Sequence, residues 1–298
     1  MKNKVLIIGS SNTDMVVQTQ DFPKPGQTVL GGIFLMNAGG KGANQAVAAA
    51  RLGADVRFVA KIGKDIFGQE AKKGFVKEGL DITYLLETDD FASGVALITV
   101  NAKGENEIVV ASGANMELHP ADVPDVIFEE VAFVLIQLEI PLETISYIIT
   151  KCNNLGIKVL MNPAPGIKLN EALLKGIFLI TPNETETEII TGIYPYDAAS
   201  MQQAAEILHN AGVEQVIITL GSSGVYFSNA SHATLIPARQ VEAVDTTAAG
   251  DVFNGAILTA LAEGKDWIEA CEFACAAAAI SVTRPGAQSS APFREEFQ

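Results

Sequence analysis

Seven residues late in the chain, Asp245-Thr246-Thr247-Ala248-Ala249-Gly250-Asp251, join two acids to a run of small side chains that leads into the helical pattern of residues 252–261. Small residues at a helix start leave the first-turn N–H groups open to a ligand. Those donors and the positive end of the helix dipole suit the charge spread over the oxygens of a phosphoryl group in transfer. Asp251 falls in the same turn. There a carboxylate can take the proton of a hydroxyl placed over the helix end. Alone, an aspartate at this position also serves as an ordinary cap.

A second segment, Gly39-Gly40-Lys41-Gly42-Ala43-Asn44, precedes the helical pattern of residues 45–52. It is not a P-loop, which needs glycine at position 35 and serine or threonine at 42, where this chain has Leu35 and Gly42. Nor is it a dinucleotide fingerprint, because Gly40-Lys41-Gly42 is followed by Asn44 and Gln45 with no third glycine. What remains is a flexible loop whose backbone can approach a ligand, with Lys41 and Asn44 offering donors. A plain tight turn is the alternative.

Asn12 and Asp14 follow the first apolar run, and Glu139 follows the run at 133–136. In doubly wound sheets ligands bind beyond the carboxyl ends of the strands, so residues placed there can converge. Carboxylates and amides grip vicinal hydroxyls with paired hydrogen bonds, which suits a sugar. Two more loops follow apolar runs, at 181–186 and at Gly221-Ser222-Ser223-Gly224. The glycine-serine loop can wrap a nucleotide phosphate or simply turn a hairpin. Asn183 and Glu186, three apart at a helix start, can orient Mg²⁺ and its waters or simply cap the helix. The small residues at 276–279 suit tight helix packing or leave room for a flat adenine ring.

The elements that must position these residues are well marked. From about residue 130, apolar β-type runs at 133–136, 159–161, 177–180 and 216–219 alternate with helix-like stretches, as in a parallel sheet covered by helices. Gly53, Gly79, Gly156, Gly192 and Gly212 each follow a periodic segment where a C-terminal cap falls. Residues 12–36 and 94–110 break the alternation, the second reading as a hairpin around Asn101-Ala102-Lys103-Gly104. They predict a small second sheet that acts as a lid; edge strands of the main sheet are the alternative. The expected fold is α/β: a doubly wound, mostly parallel sheet flanked by helices, with a small β-sheet lid, in one domain over residues 1–298.

Composition narrows the partners. A chain of 298 residues, 48% hydrophobic, can build a sizeable core, and a net charge of -15 repels phosphate backbones and anionic lipid. Nucleic acid and membrane are therefore poor partners. Lys2 and Lys4 precede an apolar run far too short for a leader, no apolar run approaches a membrane span, and a cytoplasmic protein is expected. Cys152, Cys271 and Cys275 form no CxxC pair and read as reduced thiols.

In order along the chain, Asn12-Thr13-Asp14, the segment 39–44, Asn183-x-x-Glu186 and the segment 245–251 together resemble the PfkB-type carbohydrate kinases. The likeness spans essentially the whole chain, through Val282-Thr283-Arg284-Pro285-Gly286-Ala287-Gln288. It implies that Asn12, Thr13, Asp14, Gly40, Lys41, Gly42, Ala43, Asn44 and Glu139 hold a sugar whose primary hydroxyl Asp251 deprotonates. Ala248, Ala249 and Gly250 would form the anion hole. Asn183, Thr219, Leu220, Gly221, Ser222, Ser223, Gly224, Gly250, Asp251 and Cys275 would line the ATP site, although Cys275 stands where a polar or ring-bearing residue is expected. Mg²⁺ would bridge the phosphates near Glu186 through water. A monovalent cation, K⁺, would sit at Asp245, Thr247, Ser281, Arg284, Gly286 and Ser290, several of them through backbone carbonyls. The implied activity is ATP-dependent phosphorylation of D-ribose at O5 by a homodimer joined through the lid. Kinases of 2-deoxyribose, another sugar or a nucleoside share these motifs, and a non-catalytic sugar or nucleotide sensor on the same fold is the reading from a different class.

Overall fold

The computed structural model describes residues 4–297, so Lys2 and the outermost ends of the 1–298 span lie outside the described residues. The chain runs through β1 (Lys4–Ile8), β2 (Asn12–Gln18), β3 (Ile33–Gly39), α1 (Lys41–Arg51), β4 (Asp55–Val59), β5 (Lys61–Gly63), α2 (Ile66–Lys77), β6 (Leu86–Thr88), β7 (Gly94–Val100) and β8 (Asn106–Ala111). It continues through β9 (Val131–Ile136), α3 (Leu142–Leu155), β10 (Lys158–Met161), α4 (Glu171–Leu174), β11 (Leu179–Ile180), α5 (Glu184–Thr191), α6 (Ala198–Asn210), β12 (Gln215–Thr219), β13 (Val225–Ser228), β14 (Ala233–Ile236), α7 (Ala249–Ala262) and α8 (Trp267–Ser281).

Eight strands form the main sheet in the order β14-β13-β12-β11-β10-β9-β1-β4, parallel except for β13 and β14. Val5, Leu6, Ile7 and Ile8 are all fully buried, which explains why β1 reads as an unbroken apolar run rather than an alternating one. Val5 and Ile7 join a core layer with α1, α7 and α8, while Leu6 and Ile8 join a second layer with α3 and α6 on the opposite face. From β1 the chain goes to β4 on one side and later to β9 on the other. The strand order reverses at this pair, where such folds leave a crevice beyond the strand ends.

The two segments that break the alternation pair with each other in a separate four-stranded sheet, β3-β2-β7-β8, and are not edge strands of the main sheet. A two-stranded pair, β5-β6, was not foreseen. The run at 177–180 forms strand only over Leu179–Ile180. The five glycines expected after helices all have positive φ.

One expectation is corrected at the local level: the segment 39–44 is not a flexible loop. Gly39 ends β3 and α1 begins at Lys41, four residues earlier than the periodicity indicated. The chain reverses at Gly40, whose φ of 88° favours glycine and whose added Cβ would lie 2.6 Å from the Asn12 nitrogen. α1 is buried from Gly42 to Ala49 and lies across α7, with almost no room between them: a Cβ on Gly255 would lie 2.7 Å from the Gln45 carbonyl oxygen and 2.8 Å from the Ala48 methyl. Gly255→Ala is accordingly expected to force the two helices apart and to cost about 1–3 kcal/mol of stability in urea denaturation; a variant as stable as the parent would contradict this packing.

Candidate active site

Asp251 lies in the first turn of α7 and is 5% exposed. Its Oδ2 accepts a hydrogen bond from Asn44 Nδ2 at 2.9 Å and its Oδ1 accepts one from Gln45 Nε2 at 2.9 Å. Both donors sit in the first turns of α1, so the contact between the two helices brings the glycine motif and the 245–251 segment to one point. The Oδ1 of Asn44 is buried without a protein partner.

Around this point the polar residues expected at strand ends converge. Glu139, just beyond β9, accepts from the Lys41 backbone N–H at 3.0 Å and from Ser10 Oγ at 2.5 Å. Ser10 Oγ also accepts from the Gly42 N–H at 3.3 Å. Asp14 lies opposite Asn37 of β3, and its carboxylate fills the space beside Gly39, where a Cβ would lie 2.3 Å from both oxygens. Burial, helped by the charges of Glu139 and Asp251, raises the Asp14 carboxyl to about 6, against the opposing pull of Lys41. For Lys41, burial works against the charged form, but Asp251, Glu139, Glu186 and Asp14 together hold its ammonium above the usual lysine range. The result is a single cation among four carboxylates, with Asn12 at the margin accepting from Asn115 Nδ2 at 2.7 Å. Such a set can bond several adjacent hydroxyls at once. Thr13 lines, together with Asn12, a cavity of about 200 Å³ between β2, β3 and α2, and Ala43 is buried in the core, offering only backbone.

On the other side of the α7 N-terminus lies a cavity of about 340 Å³. Thr219, Gly221, Ser222 and Gly224 line it from the turn between β12 and β13, and Asn183 from the start of α5. Ala249, Gly250 and Phe253 line it from α7, and Cys275, Ala278 and Ala279 from α8. The glycine-serine loop thus turns a hairpin and lines the cavity; of the residues expected at the ATP site, Leu220, Ser223 and Asp251 are not in its wall. Val225, Val241, Phe253 and Val282 add apolar wall, and this mix of apolar side chains with the α7 start suits a ligand carrying both a flat base and phosphates. Ala248 caps α7 with a φ of 59°, in the left-handed region, and the two residues that follow it line the cavity. The Ala249 N–H is already given to the Thr246 carbonyl at 3.2 Å, while a Cβ added at Gly250 would meet open space.

The two remaining expected ion sites are built differently. Asn183 and Glu186 form a capping box: the Glu186 N–H donates to Asn183 Oδ1 at 2.8 Å, and the Asn183 N–H donates to Glu186 Oε2 at 2.9 Å. One Glu186 oxygen is left for a metal-bound water, and burial raises this carboxyl. Val244 and Asp245 both donate backbone N–H to the Val282 carbonyl, which joins the 245–247 segment to the end of α8. Despite partial burial, the Asp245 carboxyl is held low by the Thr247 hydroxyl and by the backbone N–H of Gly286 at 2.8 Å and of Thr247 at 2.9 Å. The hydroxyls of Ser281 and Ser290 donate to the Ala278 and Ala287 carbonyls and keep their lone pairs, while the Arg284 side chain pairs with Glu296, so the oxygens that fit a monovalent cation here are Asp245, the two hydroxyls and backbone carbonyls. No group of three or more metal-binding side chains occurs among the described residues.

Gln45, Gln137, Asn162 and Ser10 were not singled out beforehand. Gln137 and Asn162 directly follow β9 and β10, so the rule that drew attention to Glu139 applied to them as well.

Comparison with known proteins gives matches that span nearly the whole chain. The model of the pfkB family carbohydrate kinases matches residues 2–294. A ribokinase of Haemophilus influenzae is 45% identical over 99% of this chain and 97% of its own length. A deoxyribokinase of Salmonella typhimurium is 37% identical over 98% and 97%. The structure of an Arabidopsis thaliana ribokinase complexed with ribose and ATP superposes with a TM-score of 0.93, at 31% identity, over 99% of this chain and 97% of that one.

Asp14 gives a test that needs no ligand. Its raised carboxyl favours folding only while protonated, so this contribution is present below about pH 3.8 and is lost as pH rises through about 6. Asp14→Asn should therefore be more stable than the parent at pH 7.5, by up to about 3 kcal/mol, with the difference vanishing near pH 4. Equal thermal stabilities across that range would contradict the buried charge.

Proposed function

The chain belongs to the pfkB family of carbohydrate kinases, and we propose that it transfers the γ-phosphoryl group of ATP to O5 of D-ribose, giving D-ribose 5-phosphate and ADP. The observation that carries this reading is Asp251, a buried carboxylate in a helix's first turn, bonded by the amides of α1 and directly following Gly250, which lines the 340 Å³ cavity. The sugar is bonded by Asp14, Lys41, Asn44, Glu139 and Asn12, with its primary hydroxyl toward Asp251. ATP lies in the cavity with its γ-phosphate at the Gly250 end. As the hydroxyl oxygen bonds to phosphorus, the bond from phosphorus to the ADP oxygen breaks in line and the proton passes to Asp251. The N–H groups of Ala248 and Gly250, left open where that of Ala249 is held by the Thr246 carbonyl, and the Lys41 charge stabilise the transferring group. Mg²⁺, held through water at Glu186, would neutralise phosphate charge. K⁺ at Asp245 and nearby carbonyls would steady the loop that forms the anion hole.

The small sheet closes over the sugar and limits transfer to water. Ile33, Phe34, Ile108 and Val109 are exposed on it, and this apolar surface supports dimerisation through the same sheet. No helix among the described residues is long and apolar enough to cross a membrane, and three free cysteines suit a cytoplasmic enzyme.

The resemblance to a deoxyribokinase keeps 2-deoxyribose as the nearest rival. ADP release is expected to be fastest with ribose in a panel containing 2-deoxyribose, fructose and adenosine; negligible turnover of ribose would overturn the sugar assignment. Binding of ribose and ATP without any product would favour a sensor. Asp251→Asn should fold and bind ATP normally but lower kcat by about 10²–10⁴-fold, and a variant with near-parental kcat would remove Asp251 as the base.

A further inference from the structure

Behind Asp251 runs a chain of buried amides that lines neither cavity. Gln45 is fully buried, and both hydrogens of its Nε2 are used, one on Asp251 Oδ1 at 2.9 Å and one on Asn162 Oδ1 at 3.0 Å. Its Oε1 accepts from Gln137 Nε2 at 2.5 Å. An ionised carboxylate only accepts, so the Gln45 amide has one workable orientation, nitrogen toward Asp251 and oxygen toward Gln137. That orientation compels Gln137 to donate and leaves Gln137 Oε1 buried without a partner, at a position that would collide with any Cβ on Gly9. An orphaned buried acceptor destabilises a fold. Here it accompanies a fixed donor for Asp251.

The chain then closes on itself. Asn162 Nδ2 donates to the Thr181 carbonyl at 3.3 Å, Thr181 Oγ1 donates to Asn254 Oδ1 at 2.6 Å, and Asn254 Nδ2 returns to the Gly250 carbonyl at 2.8 Å. The ends of β9, β10 and β11 are thereby tied to the residue before Asp251 as well as to its side chain. We propose that Gln45, oriented by Gln137, is a positioning residue that acts through Asp251: it holds the carboxylate in the direction from which it takes the substrate proton. The proposal rests on the kinase reading above.

The test is a double-mutant cycle of Gln45→Met with Asp251→Ala, reading kcat, KM for sugar and ATP, and melting temperature. Gln45→Met alone should lower kcat about 10-fold to 100-fold, the effect of losing a hydrogen bond to a charged group, with both KM values within about twofold. In the Asp251→Ala background the same change should lower kcat by less than about twofold, because its target is gone. An equal loss in both backgrounds would show a merely structural role and overturn the proposal, as would an unchanged kcat in Gln45→Met. Should Gln45→Met fail to fold, Gln137→Met enters the same cycle, with an expected loss of about 3-fold to 10-fold that again disappears without Asp251. Failure of the parent protein to phosphorylate any sugar would instead bring down the kinase reading, and this proposal with it.

Discussion

A carboxylate taken out of water must be met by hydrogen-bond donors, and the structure is arranged around meeting that need at Asp251. The donors are two side-chain amides on α1, so α1 must cross the start of α7 closely enough for Asn44 and Gln45 to reach 2.9 Å. That closeness depends on Gly255 in α7 and on the buried, alanine-rich stretch of α1. The register of α1 depends in turn on Gly40, where the chain leaves the small sheet and turns into the helix. A glycine motif that resembles a phosphate loop is thus better understood as a helix start shaped by what its side chains must hold.

The same turn gathers charge that the protein does not fully compensate. Asp14, Glu139, Glu186 and Asp251 share Lys41 as their common cation, and burial, with like charges adding to it, raises the Asp14 and Glu186 carboxyls. Such a cluster is poorly suited to stability alone and well suited to a ligand that brings many hydroxyls and, beside them, a charged phosphate with its metal. The buried acceptors left unpaired on Asn44 and Gln137 fit this pattern, in which part of the folding free energy is spent on a prepared site.

Much of this was legible beforehand because it follows from local rules. Parallel strands buried on both faces gave apolar runs, glycines marked helix ends, and the segments 12–36 and 94–110 stood out by breaking the alternation and do form their own sheet. Asp251, Lys41, Asn44, Asp14 and Glu139 were visible as chemistry-bearing residues at strand ends and helix starts, and they do come together. The amide chain through Gln45, Gln137, Asn162 and Asn254 was not visible, since the links from Gln45 to Asn162, from Gln137 to Gln45 and from Thr181 to Asn254 join residues more than 70 positions apart and no local pattern distinguishes a structural amide from an orienting one. The early start of α1 was missed for a related reason: its first turn is secured by Glu139, 98 residues away, and not by any cap in its own sequence.

The central claim is that this constellation delivers a phosphoryl group to the primary hydroxyl of a pentose. A proton-coupled ³¹P spectrum of the product formed from ribose and ATP tests it directly. Transfer to O5 predicts a product phosphorus split into a triplet by the two methylene protons on C5, with ADP appearing in equal amount. A doublet, the mark of phosphate on a carbon bearing one proton, or ADP with free inorganic phosphate alone, would contradict the account.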